Sequence, residues 1–227
     1  MSSAVARPLT IVGVGQHPVS GLLQVPADAR ACCVLAHGAG AGMTHPFMVG
    51  IAQGLAGRGI ATLRYQFPYM ERGTRRPDPP ALAQATVRAA VEEAARQLPA
   101  LPLFCGGKSF GGRMSSQAQA ASPLPGVRGL VFLGFPLHPP RQPSAARGAH
   151  LAQVRIPMLF LQGSRDAFAE PELLQPLLAT LRPRAQLHLI EHADHSFHVP
   201  ARTRRTDAEV QDEMLDALRD WIEAVLA

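Results

Sequence analysis

An apolar run at 101–105 gives way to Gly106-Gly107-Lys108-Ser109-Phe110-Gly111-Gly112, and a helical pattern follows at once. No other stretch restricts the fold as much, because the chain must pass from strand to helix with no loop to absorb the change of direction. In a turn this tight, side chains two residues before and two after Ser109 would meet neighbouring backbone, so both positions need glycine. The serine is thereby raised clear of the sheet, at a helix N-terminus whose dipole favours negative charge. Gly-x-Ser-x-Gly between a strand and a helix is the setting of a nucleophilic serine. The competing reading, a glycine-rich turn with an ordinary serine, is weakened by that strand–turn–helix context.

The rest of the chain suits such a turn. Strands are expected at 9–14, 22–25, 31–36, 60–64, 101–105, 127–133, 158–161 and 186–190. Several are continuous apolar runs, as in parallel strands covered on both faces. Helices are expected at 80–98, with Val87, Val91, Ala94 and Leu98 on one face, and at 207–226, with Val210, Met214, Leu218, Trp221 and Val225 on one face. The first two strands lie too close together for a helix between them and should form a hairpin. Thereafter strand and helix alternate, which predicts an α/β class chain: a mostly parallel, doubly wound sheet of about eight strands with helices on both faces. At 227 residues it should be a single domain, 1–227. In such sheets function collects on loops after strand carboxyl ends.

Composition removes several classes. With 47% hydrophobic and 17% charged residues the chain can bury a core. Residues 31–57 lack Lys, Arg, Asp and Glu, but glycines, Pro46, His37 and His45 divide them into strand, loop and helix, leaving no membrane span. Residues 1–13 have no secretory pattern. Cys32, Cys33 and Cys105 lie in apolar runs without metal spacing, which predicts buried reduced thiols, a cytoplasmic setting and no metal. Gly107-Lys108-Ser109 imitates the end of a phosphate-binding loop, but Pro102 stands where that motif needs glycine. Gly13-Val14-Gly15 fails as a dinucleotide fingerprint because Pro18 occupies the third glycine position. Aromatic residues are only 5%, too few to interleave with arginines as a nucleic-acid surface would require.

Two further loops complete a chemistry. His37-Gly38-Ala39-Gly40 follows the 31–36 strand, where such loops supply a backbone N–H to an oxyanion hole. Ala39 and Phe110 are the expected donors. Asp166 follows the 158–161 strand and His195 the 186–190 strand. A serine needs an imidazole to take its proton and a carboxylate to fix the imidazole tautomer. Ser109, Asp166 and His195 occur in the chain order of one family of serine hydrolases. His192 with Asp194 is the competing pair, and His188, His192 and His195 could suggest a metal. His188 falls in a strand, however, and no carboxylate–cysteine set completes such a site. Arg72, Arg75 and Arg76, and Arg202, Arg204 and Arg205, should border the mouth. There they would recruit anionic acyl substrates or be solvated charge, paired with Glu71 and Asp207.

With Met43, His45-Pro46-Phe47, Phe67-Pro68-Tyr69-Met70, Arg76-Pro77-Asp78-Pro79, the segment 106–113, Gly134-Phe135-Pro136-Leu137-His138-Pro139, the segment 162–166 and Ala193-Asp194-His195-Ser196-Phe197, the chain resembles the dienelactone-hydrolase-related α/β-hydrolases. Within them it is most similar to the branch containing testis-expressed protein thirty and the hydrolase-like part of subunit three of the nonspecific-lethal chromatin complex. The resemblance implies the α/β-hydrolase fold; separately, only residues 135–154 could cover the site, which predicts a minimal cap and a shallow, open pocket. The resemblance carries the triad onto Ser109, Asp166 and His195, and places Tyr69, Met70, Phe135 and His138 near a pocket bordered by His37, Gly38 and Gly40. The expected function is hydrolysis of a small-molecule ester, thioester or similar acyl substrate, without cofactor and away from membranes. The alternative is a non-catalytic interaction module that keeps the fold.

Overall fold

A computed structural model describes residues 4–13 and 18–227. In chain order the elements are β1 (Arg7–Ile11), β2 (Val19–Gln24), β3 (Ala31–Ala36), α1 (Pro46–Ala56), β4 (Ile60–Tyr65), α2 (Pro68–Glu71), α3 (Pro80–Gln97), β5 (Leu103–Lys108), α4 (Phe110–Ala121) and β6 (Val127–Leu133). A 3-10 helix at Ala146–Gln153, β7 (Met158–Gly163), α5 (Pro171–Ala179), β8 (Ala185–Ile190), a 3-10 turn at Ala201–Thr203 and α6 (Asp207–Leu226) follow. Among the described residues the sheet has eight strands in the order β1-β2-β4-β3-β5-β6-β7-β8. β1 and β2 form the expected antiparallel hairpin, β2 lies antiparallel to β4, and the others run parallel.

The alternation of β3 shows how the layers are made. Ala31, Cys33 and Leu35 join a core with α1 and α6 on one face. Cys32, Val34 and Ala36 join the opposite core, where α3, α4 and α5 pack. A strand buried on both sides has no polar face to display, hence its continuous apolar run. α6 begins with a capping box between Thr206 and Glu209 and lays Val210, Met214, Leu218 and Trp221 on the sheet. The Trp221 ring meets Phe104 edge-on at 5.5 Å. It fits because Gly129 has no side chain: a Cβ there would sit 2.6 Å from the indole. Trp221→Ala should therefore lower unfolding free energy by about 3–5 kcal/mol through lost area and a cavity that Gly129 cannot fill. Urea denaturation checks this, and a loss below about 1 kcal/mol would contradict the packing described.

Some expected bounds move. The first strand runs from Arg7 to Ile11 rather than 9–14, since its hairpin register ends at the Ile11–Val19 pair. Val14, and with it part of Gly13-Val14-Gly15, lies outside the described residues. β5 continues to Lys108 because Gly106 and Gly107 stay in ladder between Val131–Phe132 on β6 and Leu35–Ala36 on β3. The 135–154 segment sinks Leu137, Leu151 and Val154 into the core, so it covers the α4 side of the sheet instead of forming a lid. Among the described residues no helix is long and apolar enough to cross a membrane.

Candidate active site

The strand–helix turn sets the site. Ser109 sits at φ 49°, ψ −113° between β5 and α4, a left-handed conformation costly for a residue with a side chain. Neighbouring backbone enforces it. A Cβ on Gly107 (φ 144°) would run into the Ala36 backbone, and one on Gly111 would lie 2.6 Å from both the Ala36 Cβ and the His37 carbonyl oxygen. The two glycines thus let the turn nest against the end of β3.

Two loops come to meet it. His195 Nε2 lies 2.8 Å from Ser109 Oγ, and His195 Nδ1 lies 2.7 Å from Asp166 Oδ2. The carboxylate is 1% exposed. Its oxygens also accept hydrogen bonds from the Gln162 amide at 2.5 Å and the Phe168 N–H at 2.8 Å, so it is buried with its acceptors satisfied. An anionic Asp166 places the imidazole proton on Nδ1 and leaves Nε2 to accept from the serine hydroxyl. The Phe168 ring lies 4.3 Å from the imidazole, centroid to centroid. Asp194, the rival acid, turns its Oδ1 onto the N–H groups of Ser196 and His198. It shapes the histidine loop without touching the ring. His192 is exposed with φ 65°, and His188 pairs with Glu213 at 2.8 Å.

The loop after β3 is held from behind. His37 is buried; its Nδ1–H donates to the Gly38 carbonyl at 2.7 Å and its Nε2 accepts from the Phe67 N–H at 3.2 Å. Burial holds this imidazole below its ordinary pKa, partly offset by the Gly38 hydrogen bond, which suits a ring that must stay neutral to accept. The Tyr69 hydroxyl accepts from the Gly40 N–H at 3.0 Å. Gly38 and Ala39 consequently line a cavity of about 310 Å³ with Ser109, His195, Phe47 and Phe168. Phe110, the first residue of α4, carries one of the amides a helix leaves without an internal acceptor.

Other expected residues lie elsewhere. His37 and Tyr69 brace the cavity loop from beneath, and Met70 is half-buried with its methyl group packed near Gly42. Phe135 is core, packed edge-on against Phe132 and Phe160. His138 is buried with Nε2 2.5 Å from Glu170 and Nδ1 2.9 Å from the Pro139 carbonyl, on a separate groove. The arginine clusters are absent from the cavity lining. Arg72 pairs with Asp78 and Arg205 with Glu213, while the anticipated partners are engaged otherwise: Glu71 with the Ser20 N–H, Asp207 with His198. Two contributors escaped the sequence reading. Gln162, polar near the end of a buried strand, was a signal; Lys108, charged inside the turn itself, was another.

Residues 29–223 match the alpha/beta hydrolase domain family. The chain belongs to that family. This alpha/beta hydrolase is 30% identical over 211 residues to proteins of two Mycobacterium tuberculosis strains whose names assign them, provisionally, to the phosphoribosyl transferases. The aligned region is 91% of this chain and 46% of theirs, so the chain spans about half the length of the curated relatives it matches. Among solved structures, dienelactone hydrolase from Anabaena variabilis superposes with a TM-score of 0.78 at 20% identity, covering 98% of this chain and 99% of that one. A serine hydrolase without a lid from Xanthomonas campestris gives 0.75 at 21%, covering 96% and 95%. Such identities speak to the fold, and these neighbours share it.

Proposed function

We propose that this alpha/beta hydrolase is a serine hydrolase that cleaves an ester, thioester or similar acyl substrate through an acyl-enzyme. One observation carries the reading: an unbroken hydrogen-bonded series from Ser109 Oγ through His195 to the buried Asp166 carboxylate. His195 Nε2 takes the hydroxyl proton as Oγ attacks the carbonyl carbon. The oxygen that becomes negative is received by the amides of Phe110 and Ala39, each worth about 3–4 kcal/mol in the transition state. Collapse expels the alcohol or thiol, which takes that proton from His195. Water, deprotonated by the same nitrogen, then attacks the acyl carbon, and collapse releases the acid as His195 returns the proton to Ser109 Oγ. Asp166 stabilises the imidazolium without taking its proton. Similarity to serine hydrolases and esterases of the same fold supports this reading.

The finer placement, in the branch of testis-expressed protein thirty, rests on the motifs quoted above. The cytoplasmic setting is supported by three free, buried cysteines; burial raises Cys32 and Cys105 to about 12, which keeps them inert thiols.

A fluorophosphonate probe tests the chemistry. It should modify Ser109 in the wild type at neutral pH and fail to do so in His195→Ala. Labelling that persists in His195→Ala, or a wild type that resists the probe at every pH, would defeat the proposal.

A further inference from the structure

Lys108 is the residue the reaction scheme above leaves unused. It ends β5, immediately before the nucleophile, and lines the same cavity as Ser109 and His195. Its Nζ donates to the His195 main-chain carbonyl at 2.6 Å. It also lies 5.4 Å from the Phe197 ring centroid and 6.0 Å from that of Phe47, two rings stacked 5.8 Å apart. Among the described residues no carboxylate oxygen comes within 4.0 Å to form an ion pair with it. A buried ammonium is expensive unless hydrogen-bonded and compensated. Here one carbonyl and two aromatic faces provide the compensation, and all three belong to α1 or the histidine loop. Gly134 fits the same arrangement: a Cβ there would lie 3.1 Å from Nζ and 3.4 Å from the imidazole.

We propose that Lys108 is a positioning residue for His195: its ammonium ties the histidine loop to the nucleophile's own strand and so keeps the imidazole in register with Ser109 Oγ. The inference rests on the serine-hydrolase reading for its kinetic consequences, though the tie itself is independent of turnover. The residue that precedes the serine in the turn thus also holds the base, and the two reacting groups move as one unit. Loop 192–198 needs such a tie. Its His192 and Phe197 are both at positive φ; its ends are held by the Ser164 hydroxyl, the Arg165 N–H and Asp207, Asp194 braces it from within, and between those ends the Lys108 Nζ holds the His195 carbonyl. A charge-assisted hydrogen bond is about twice as strong as a neutral one, so the hold depends on the proton that Lys108 carries.

That proton is poised to leave. Burial lowers the Lys108 ammonium to about 8, against the pull of Asp166 from the loop after β7 and Asp194 from the histidine loop. His45, which caps α1, and His195 are the other titratable groups on the cavity wall. Protonated Lys108 is full-strength below 8 and is lost as pH rises through 8. A serine–histidine–aspartate series alone gives a rate that rises with pH and then levels. The tie adds a falling limb near pH 8, where kcat declines about tenfold while KM stays level.

Steady-state kinetics on p-nitrophenyl acetate from pH 6 to 10, with hydrogen exchange of residues 192–198, tests this. Lys108→Arg, which stays charged, should move the falling limb above pH 10. Lys108→Met should lower kcat at pH 7 about tenfold or more, remove the limb, and speed exchange of the loop about tenfold. Exchange in Lys108→Met equal to that of wild type, or a limb near pH 8 that persists in Lys108→Arg, would overturn the proposal. If methionine prevents folding, the wild-type profile and Lys108→Arg still decide. Faster loop exchange without any Ser109-dependent turnover in the wild type would sink the hydrolase reading and leave the tie standing.

Discussion

Ser109→Ala is expected to lower kcat for any acyl substrate by about 10⁴–10⁶-fold while the fold remains as stable as the wild type, within about 1 kcal/mol. The two halves of that result have separate causes. The rate falls because the covalent route disappears and the imidazole has no hydroxyl to deprotonate; the residual acceleration over water comes from the amide donors and substrate binding. Stability holds because the serine side chain has one hydrogen-bond partner, His195 Nε2, on the wall of a cavity that water can enter. Alanine leaves no buried donor or acceptor orphaned. The strained backbone at φ 49° is set by the glycines around it and is the same for either residue. Single-turnover rates on p-nitrophenyl esters, set beside calorimetric melting curves, measure both halves. A variant that kept more than about a hundredth of the wild-type kcat would show that the chemistry runs elsewhere.

Which parts of this were readable in the chain follows from how many forces act on each residue. β3 at Ala31–Ala36 and β6 at Val127–Leu133 have the expected ends, because a strand buried on both faces writes itself as an unbroken apolar run. α6 was equally plain, its apolar face recurring at helical spacing beside a Thr206–Glu209 cap. α5 was not, since Pro171 opens it and Pro176 lies inside it, and proline argues against a helix interior in any local reading. At the site, Ser109, Asp166 and His195 could be expected to meet because each follows a strand and the topology brings those strand ends together. Roles that depend on which way a side chain turns were hidden. His37 looks like a cavity residue and is a brace beneath it. Phe135 follows a strand end as a pocket residue would, yet it points into the core. Lys108 drew notice as part of a failed phosphate loop, and its connection to the His195 carbonyl spans 87 positions, which no local pattern reveals.

Gly107→Ala is the second large effect, and it separates what the glycines do from what the serine does. The expected loss is about 3–5 kcal/mol of unfolding free energy, from the strain of an alanine at φ 144° together with its overlap with the Ala36 backbone. Gly107 pairs with Ala36 in the parallel ladder between β3 and β5, so relief would require two central strands to part. That loss is a large fraction of the net stability of a domain, about 5–15 kcal/mol. Gly126→Ala is the control: Gly126 also has positive φ, at 74°, but a Cβ there meets nothing within 4 Å. It should cost only about 1–2 kcal/mol, from the left-handed backbone alone. Guanidinium denaturation of the two variants in parallel decides between them. If Gly107→Ala proved no worse than Gly126→Ala, the glycine before the serine would be a matter of backbone preference. If it is several kcal/mol worse, Gly-x-Ser-x-Gly is a packing requirement of the sheet, and the raised, half-buried serine follows from how closely two strands lie.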